Sequence, residues 1–223
     1  MPDGQYSFYL HSDDRTDIAA MATISTISQP LRGEFIRTAA TAGAVVYQVD
    51  ARLPALIPVF FAGQLSAVRL CAVMALVSGT WSSLTGLPDE PENGEAALPV
   101  SPETEYQRRR YTLTLQNGRS GERVESVLTE ASSRLRGDLL RNLIITGLAL
   151  HTTAPELPRL LASMPVLPTS VSELQALVQQ MAGTADVNRA AAAVPDTPAA
   201  SAAPVSGSDT REIKKNMRRA FGD

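Results

Sequence analysis

The chain repeats one stretch of its own sequence about a hundred residues later. A Leu-Arg-Gly pattern that begins at Leu31 recurs at Leu135, and each copy is followed at the same distances by a glycine and a Leu-Pro pair. A short segment in which apolar and polar residues alternate precedes each copy, at residues 6–10 and 111–115. Alternation with a period of two predicts a β-strand. The repeated unit is therefore predicted to be one strand followed by helices.

Helical patterns follow each predicted strand. In the first copy, Ser12 and Asp13 are candidate helix caps, and apolar residues at helical spacing come after them. The corresponding helix of the second copy is predicted at residues 121–132. A second helix, with one apolar face, is predicted at residues 31–49 and again at residues 135–152.

Each second helix carries a glycine at the same internal position, Gly43 in the first copy and Gly147 in the second. Inside a helix, glycine is less favourable than alanine by about 1 kcal/mol. Its presence at both equivalent positions indicates that the two helices cross closely there. A lone strand cannot satisfy its backbone, whereas two equivalent strands can pair across a pseudo-two-fold axis. Together these features predict an intramolecular pseudo-dimer.

Composition divides the chain into five segments. Residues 1–87 form the first unit and residues 108–183 the second, joined by an acidic linker rich in Pro and Gly at residues 88–107. Residues 184–208 are Ala, Pro, Ser and Thr with almost no large apolar side chain, so they are predicted to be a disordered tether. Residues 209–223 predict a basic amphipathic helix that becomes ordered against a partner.

One apolar segment, residues 54–77, suggests a membrane span at first sight. Proline, glycine, glutamine and arginine interrupt it well before the roughly twenty unbroken apolar residues that a span requires. The segment is therefore predicted to form buried helices, including a helix at residues 63–78 that caps the first unit. A matching capping helix is predicted at residues 170–181 of the second, and no membrane association is expected.

The overall composition is that of an ordinary globular protein. Of 223 residues, 44% are apolar and 19% charged, and the formal net charge of −3 means that any surface for nucleic acid must be locally basic. The single cysteine, Cys71, lies in an apolar run and is predicted to be a buried thiol in a reducing cytoplasm. The N-terminus shows no secretory signal, so the expected location is cytoplasmic.

Catalytic chemistry is not indicated. The two histidines, His11 and His151, have no acidic residue at a ligand-like or triad-like spacing. No glycine-rich phosphate loop is present in the sequence. The protein is expected to be neither an enzyme nor a cofactor-binding protein.

A strand followed by two helices, present twice, is the minimal plan of a ribbon-helix-helix unit. The paired strands of that arrangement form a two-stranded antiparallel ribbon that enters the major groove of DNA. The sequence thus predicts a mainly α fold in which two such units form an intramolecular pseudo-dimer. The predicted inward side chains are Tyr6, Phe8, Leu10, Tyr111, Leu113 and Leu115. The predicted outward side chains are Ser7, Tyr9, His11, Thr112, Thr114 and Gln116. Ordinary solvated strands would show the same alternation.

Two further features could hold a DNA backbone. The start of each second helix offers free backbone amides and the positive end of a helix dipole, at Arg32, Gly33, Arg136 and Gly137. Three consecutive arginines, Arg108 to Arg110, supply local positive charge immediately before the second strand, and Arg110 is the candidate DNA-binding residue among them; nothing comparable precedes Tyr6. The second copy is the more basic one.

Two stretches, residues 32–54 and 136–150, resemble the central helix of ParR-type plasmid segregation adaptors, also called StbB proteins. The tail at residues 209–217 resembles the charged C-terminal end of that family. Family members ordinarily carry one unit per chain and dimerise, whereas this chain carries two units and one tail.

The resemblance implies an adaptor of plasmid partition that binds repeated centromere-like DNA sites, assembles on them as pseudo-dimers, and couples them to an actin-like ParM-type ATPase filament. Thr112, Thr114 and Gln116 would read bases, with Ser7, Tyr9 and His11 as their pseudo-symmetric partners. The residues implied to bind the filament are Ile213, Lys214, Lys215, Met217, Arg218 and Phe221.

Two alternatives remain open at this stage. One is a ribbon-helix-helix transcriptional repressor or antitoxin, in which the tail binds some other protein. The other is a scaffold protein of a conjugation apparatus, suggested by the apolar segment at residues 54–77.

Overall fold

The fold is mainly helical, with one small sheet. The computed structural model describes residues 4–80 and 108–192, with side chains described as far as residue 183. The elements are β1 (Gln5–His11), α1 (Arg15–Ser25), α2 (Arg32–Val49), α3 (Leu53–Phe60), α4 (Ala67–Ser78), β2 (Arg108–Thr114), α5 (Arg119–Glu130), α6 (Arg136–Thr153), α7 (Leu157–Ser163) and α8 (Val171–Ala192). The strand and first helices of one copy thus recur in the same order in the other.

The two strands pair with each other. β1 and β2 form a two-stranded antiparallel sheet in which Ser7 lies opposite Thr112 and Phe8 opposite Tyr111. One face of this sheet is apolar: Phe8, Leu10 and Leu113 are buried, and Tyr6 and Tyr111 pack against the same core. Leu115, the first residue after β2, is buried there as well. The rings of Phe8 and Tyr111 stack with centroids 5.3 Å apart. The predicted inward set is confirmed.

The long helices α2 and α6 cross where their backbones can approach most closely. A Cβ atom added to Gly43 would lie 2.6 Å from the carbonyl carbon of Leu143, and one added to Gly147 would lie 2.6 Å from that of Ala39. These contacts are reciprocal, since each glycine meets the equivalent residue of the other copy. The close helix crossing predicted from the two glycines is confirmed.

A buried ion pair ties the first copy to the second. Asp17 on α1 is fully buried, and its carboxylate accepts hydrogen bonds from the Arg141 guanidinium at 2.6 Å and from the His11 backbone N–H at 2.9 Å. Burial raises the pKa of Asp17, although the bonds from Arg141 and His11 act to lower it. The equivalent position on α5 is Gly121, so this link exists in one half only.

Several predicted boundaries need correction. β2 begins at Arg108 rather than residue 111, because it pairs along the whole length of β1, and it ends before Leu115 and Gln116. The cap of α1 is Asp14, whose side chain accepts from the Asp17 N–H, rather than Ser12 or Asp13.

The helix boundaries shift as well. α5 spans Arg119–Glu130 instead of residues 121–132, following Gly118 in a left-handed conformation with φ of 133°. The capping helix predicted from residue 63 begins at Ala67, after Ser66, which caps it through the Arg69 N–H. α8 continues to Ala192, past the predicted end at residue 181 and into the segment predicted to be a tether.

The apolar segment at residues 54–77 forms two helices packed on the core. α3 buries Leu53 and Ile57, and α4 buries Leu70 and Met74, while Cys71 is 8% exposed. Burial raises the pKa of the Cys71 thiol, which agrees with the predicted buried thiol. In the part of the chain that the structure describes, no helix has both the length and the apolar character needed to cross a membrane.

Candidate nucleic-acid interface

The face of the sheet that points away from the core is polar. It carries Gln5, Ser7, Tyr9 and His11 from β1 and Arg108, Arg110, Thr112 and Thr114 from β2. We call this set the outer ribbon face. Six predicted site residues come together on it, namely Ser7, Tyr9, His11, Arg110, Thr112 and Thr114.

Sequence reasoning missed two members of the outer ribbon face, Gln5 and Arg108. The place of Arg108 in a run of three arginines predicts a basic stretch in front of the strand, whereas Arg108 lies within β2 opposite His11. The two-residue period of a strand predicts the position of both arginines: in steps of two residues back from Thr112, Arg110 and then Arg108 fall on the same face. The same count places Arg109 on the inner side, where its guanidinium lies 5.3 Å from the centroid of the Tyr111 ring.

The two outer arginines reach across to the neighbouring strand. The Arg110 guanidinium donates to the Ser7 hydroxyl oxygen at 2.9 and 3.2 Å. The Arg108 guanidinium lies 3.5 Å from the centroid of the Tyr9 ring, within the range of a cation–π contact. Both arginines are exposed, so their charge faces solvent while these contacts hold the side chains across the ribbon.

Gln116 does not belong to the outer ribbon face. It is exposed in the loop between β2 and α5, where it lines a shallow depression together with Glu34 and Arg37 of α2. It therefore lies beyond the last residue pair of the ribbon, Gln5 with Thr114.

The predicted arginines at the helix starts have structural partners. Arg32 donates through Nε to the carbonyl oxygen of Ile27 at 2.8 Å, and Arg136 donates to that of Ala131 at 3.2 Å. Ile27 and Ala131 occupy equivalent places in the two copies. Each guanidinium thus stabilises the turn that precedes its own helix. Because it donates to a backbone carbonyl there, fewer of its N–H groups remain for a ligand.

Gly33 and Gly137 lie in the first turns of α2 and α6, as predicted. Neither helix has a side-chain cap on its first amides, and each N-cap position holds a leucine. A Cβ atom on Gly137 would lie 3.5 Å from the carbonyl oxygen of Ser7, so the start of α6 is packed against β1. The first turn of α6 is thus placed beside the ribbon, whereas at the start of α2 the Arg32 N–H already donates to the Gln29 carbonyl oxygen.

The charge near the His11 end of the ribbon is mixed. Arg108 and Arg134 line a depression there, but so do Asp13 and Asp138. The acidic residues belong to the helix-capping loop of the first copy and to the first turn of α6. Arg141, Asp14 and Asp17 line the same depression, so both signs of charge meet beside this end of the outer ribbon face.

Both copies of the repeated unit match one protein family. The family model described as "Plasmid stability protein" matches residues 4–74 and again residues 109–178, together more than half of the chain. The chain belongs to the plasmid stability protein family. This membership supports a role in plasmid maintenance. No curated protein and no solved structure matches the chain.

The two family matches coincide with the two copies seen in the fold. The first begins just before β1 and ends within α4, and the second begins within β2 and ends within α8. Each match thus covers a strand, three helices and part of a fourth. The predicted filament-binding residues lie outside the described residues; they are Ile213, Lys214, Lys215, Met217, Arg218 and Phe221.

Proposed function

We propose that this protein is a centromere-binding adaptor of plasmid partition, which binds repeated DNA sites through the outer ribbon face. The observation that carries the proposal is the doubled match to the plasmid stability family, in which the strand of each copy pairs with that of the other. A two-stranded antiparallel ribbon with one polar face has the width of the major groove of B-DNA. In this proposal the two copies form a ribbon-helix-helix pseudo-dimer within one chain.

The chemistry of the outer ribbon face suits base edges. Thr112 and Thr114 can donate to or accept from several bases, and arginine is the side chain most often paired with guanine. Phosphates would bind at the uncapped first turns of α2 and α6, next to the ribbon, where backbone amides and the helix dipole favour an anion. Contacts to phosphate would set the register, and contacts from the ribbon would set the sequence preference.

The C-terminal segment would supply the second activity. Its apolar residues Ile213, Met217 and Phe221 recur at helical spacing, and lysines and arginines flank them. We assign this segment to an actin-like ParM-type filament, with several pseudo-dimers assembled side by side on repeated DNA sites. The support for this step is the sequence pattern and the family resemblance.

Binding to the DNA upstream of the protein's own gene, where the proposal expects repeated sites, tests the DNA-binding step. We expect the full chain to shift such DNA in a gel, with an affinity that falls steeply as salt increases, because bound phosphates release counterions. Absent binding, or binding that does not respond to salt, would sink the proposal.

Removal of residues 209–223 separates the two activities. The truncated chain should bind the same DNA with unchanged affinity but fail to maintain its plasmid over many generations without selection. Normal plasmid maintenance by the truncated chain would instead favour a ribbon-helix-helix repressor or antitoxin, which needs no filament.

A further inference from the structure

The two strands are copies of one another, so their residues can be compared position by position within one chain. On the inner side the equivalent core residues are identical or both apolar: Tyr6 matches Tyr111, Leu10 matches Leu115, and Phe8 corresponds to Leu113. On the outer side they differ, since Gln5 corresponds to Arg110 and Tyr9 corresponds to Thr114. Packing against one core thus keeps the central inner positions apolar, whereas the outer face differs between the copies on both sides of the Ser7–Thr112 pair.

The register shows where the pseudo-two-fold axis crosses the ribbon. Ser7 and Thr112 are equivalent positions of the two copies, and they also lie directly opposite each other. A residue that pairs with its own equivalent lies at the axis of a two-fold arrangement. The axis therefore passes through this pair, and both of its members carry a hydroxyl group.

Away from this axis the two ends of the outer ribbon face are chemically different. One end, which we call the arginine end, carries Tyr9 opposite Arg110 and His11 opposite Arg108. The other end carries the pair Gln5 and Thr114, with no charged side chain among its described residues.

The sequence adds a difference in charge between the two ends of the ribbon. The position equivalent to Arg108 in the first copy is Asp3, which reverses the charge and lies outside the described residues. At the arginine end, contacts with Tyr9 and Ser7 hold both guanidinium groups over the strand. The end is thus ordered as well as charged. Because Arg110 uses Nε and Nη2 on Ser7, a base would meet its other Nη hydrogens, whereas the stacked Arg108 guanidinium would meet a base through its edge.

We propose that the outer ribbon face recognises a non-palindromic DNA site and binds it in one orientation, with guanine bases under the arginine end. This inference rests on the DNA binding proposed above. A homodimer presents two identical ends to DNA and selects symmetric half-sites, as two-fold symmetry dictates. Here both strands belong to one chain, so their unequal ends always occur together and in fixed order. Arginine at one end selects guanine, and glutamine with threonine at the other selects different bases.

Selection of bound duplexes from a random DNA library, followed by sequencing, tests the inference with the full-length chain. We expect a consensus without two-fold symmetry and with guanine enriched on one side. Arg108→Ala and Arg110→Ala should each reduce the preference for guanine on that side about ten-fold, in line with the loss of a bidentate contact. Thr114→Ala should relax only the opposite side. Arg159→Ala, at an exposed arginine on α7, is the matched control and should leave the consensus unchanged.

The outcomes are distinguishable. A palindromic consensus, binding without sequence preference, or arginine variants that relax both sides equally would overturn the orientation while leaving DNA binding in place. Failure to retain any duplex, even at low salt, would overturn the proposed function as well. Far-UV circular dichroism of each variant confirms that the fold is intact.

Discussion

Substitution of Gly43 by alanine should destabilise the protein by driving α2 and α6 apart. The added Cβ would lie 2.6 Å from the carbonyl carbon of Leu143, whereas carbon atoms in contact are about 3.5–4.0 Å apart. The helices would have to separate by about 1 Å, because the obstacle is backbone and no flexible side chain can move aside.

The expected magnitude follows from two opposing effects. Overpacking of a well-packed core costs about 1–3 kcal/mol, and a clash with backbone belongs at the upper end of that range. Replacing glycine by alanine inside a helix returns about 1 kcal/mol. We therefore expect a net loss of about 2 kcal/mol, which lowers the Tm of a protein of this size by about 4–8 °C.

Urea denaturation followed by circular dichroism measures this loss. Gly33→Ala on the same helix is the matched control, because the nearest atom to its new Cβ is the tip of the Arg37 side chain at 3.8 Å. The control should be neutral or stabilised. The double variant Gly43→Ala, Gly147→Ala should lose less than the sum of the single losses, since one separation of the helices relieves both clashes. A Gly43→Ala protein as stable as the wild type would refute the close crossing.

Two further predictions concern buried groups. Asp17→Ala leaves the His11 N–H without its acceptor and Arg141 without its nearest carboxylate, so the free energy of unfolding should fall by about 2–4 kcal/mol. The control Asp13→Ala, at an exposed position, should change the free energy of unfolding by no more than about 0.5 kcal/mol. Equal effects of the two substitutions would contradict the ion pair. Because Cys71 is buried and burial raises the pKa of its thiol, it should react with a thiol reagent at neutral pH far more slowly in the native protein than in urea; equal rates would show that the thiol is accessible.

The sequence predicts the elements that repeat or that have a clear period. Alternation identifies the inner faces of both strands, and the paired glycines Gly43 and Gly147 identify the helix crossing, because both signals are local. The start of β2 at Arg108 is not visible in the same way, since three arginines in a row show no alternation of polarity. Only the pairing with β1 extends the strand through them.

Contacts between distant parts of the chain also cannot be predicted from the sequence. Asp17 and Arg141 are 124 positions apart, and nothing in either neighbourhood indicates that they meet. The roles of Arg32 and Arg136 are a second example. Their position at a helix start predicts a contact with DNA phosphate, whereas their bonds to backbone carbonyls depend on the geometry of a turn. Such contacts become apparent only once the fold is known.

The central claim, that the outer ribbon face contacts DNA, can be tested by photo-crosslinking from two neighbouring tyrosines. The photoreactive residue p-benzoylphenylalanine replaces either Tyr9, on the outer ribbon face, or Tyr6, which packs toward the core from the same strand. With the upstream DNA bound, irradiation should produce a covalent protein–DNA adduct from position 9 and none from position 6. An adduct from position 6 alone, or from neither position while the DNA remains bound, would contradict the account.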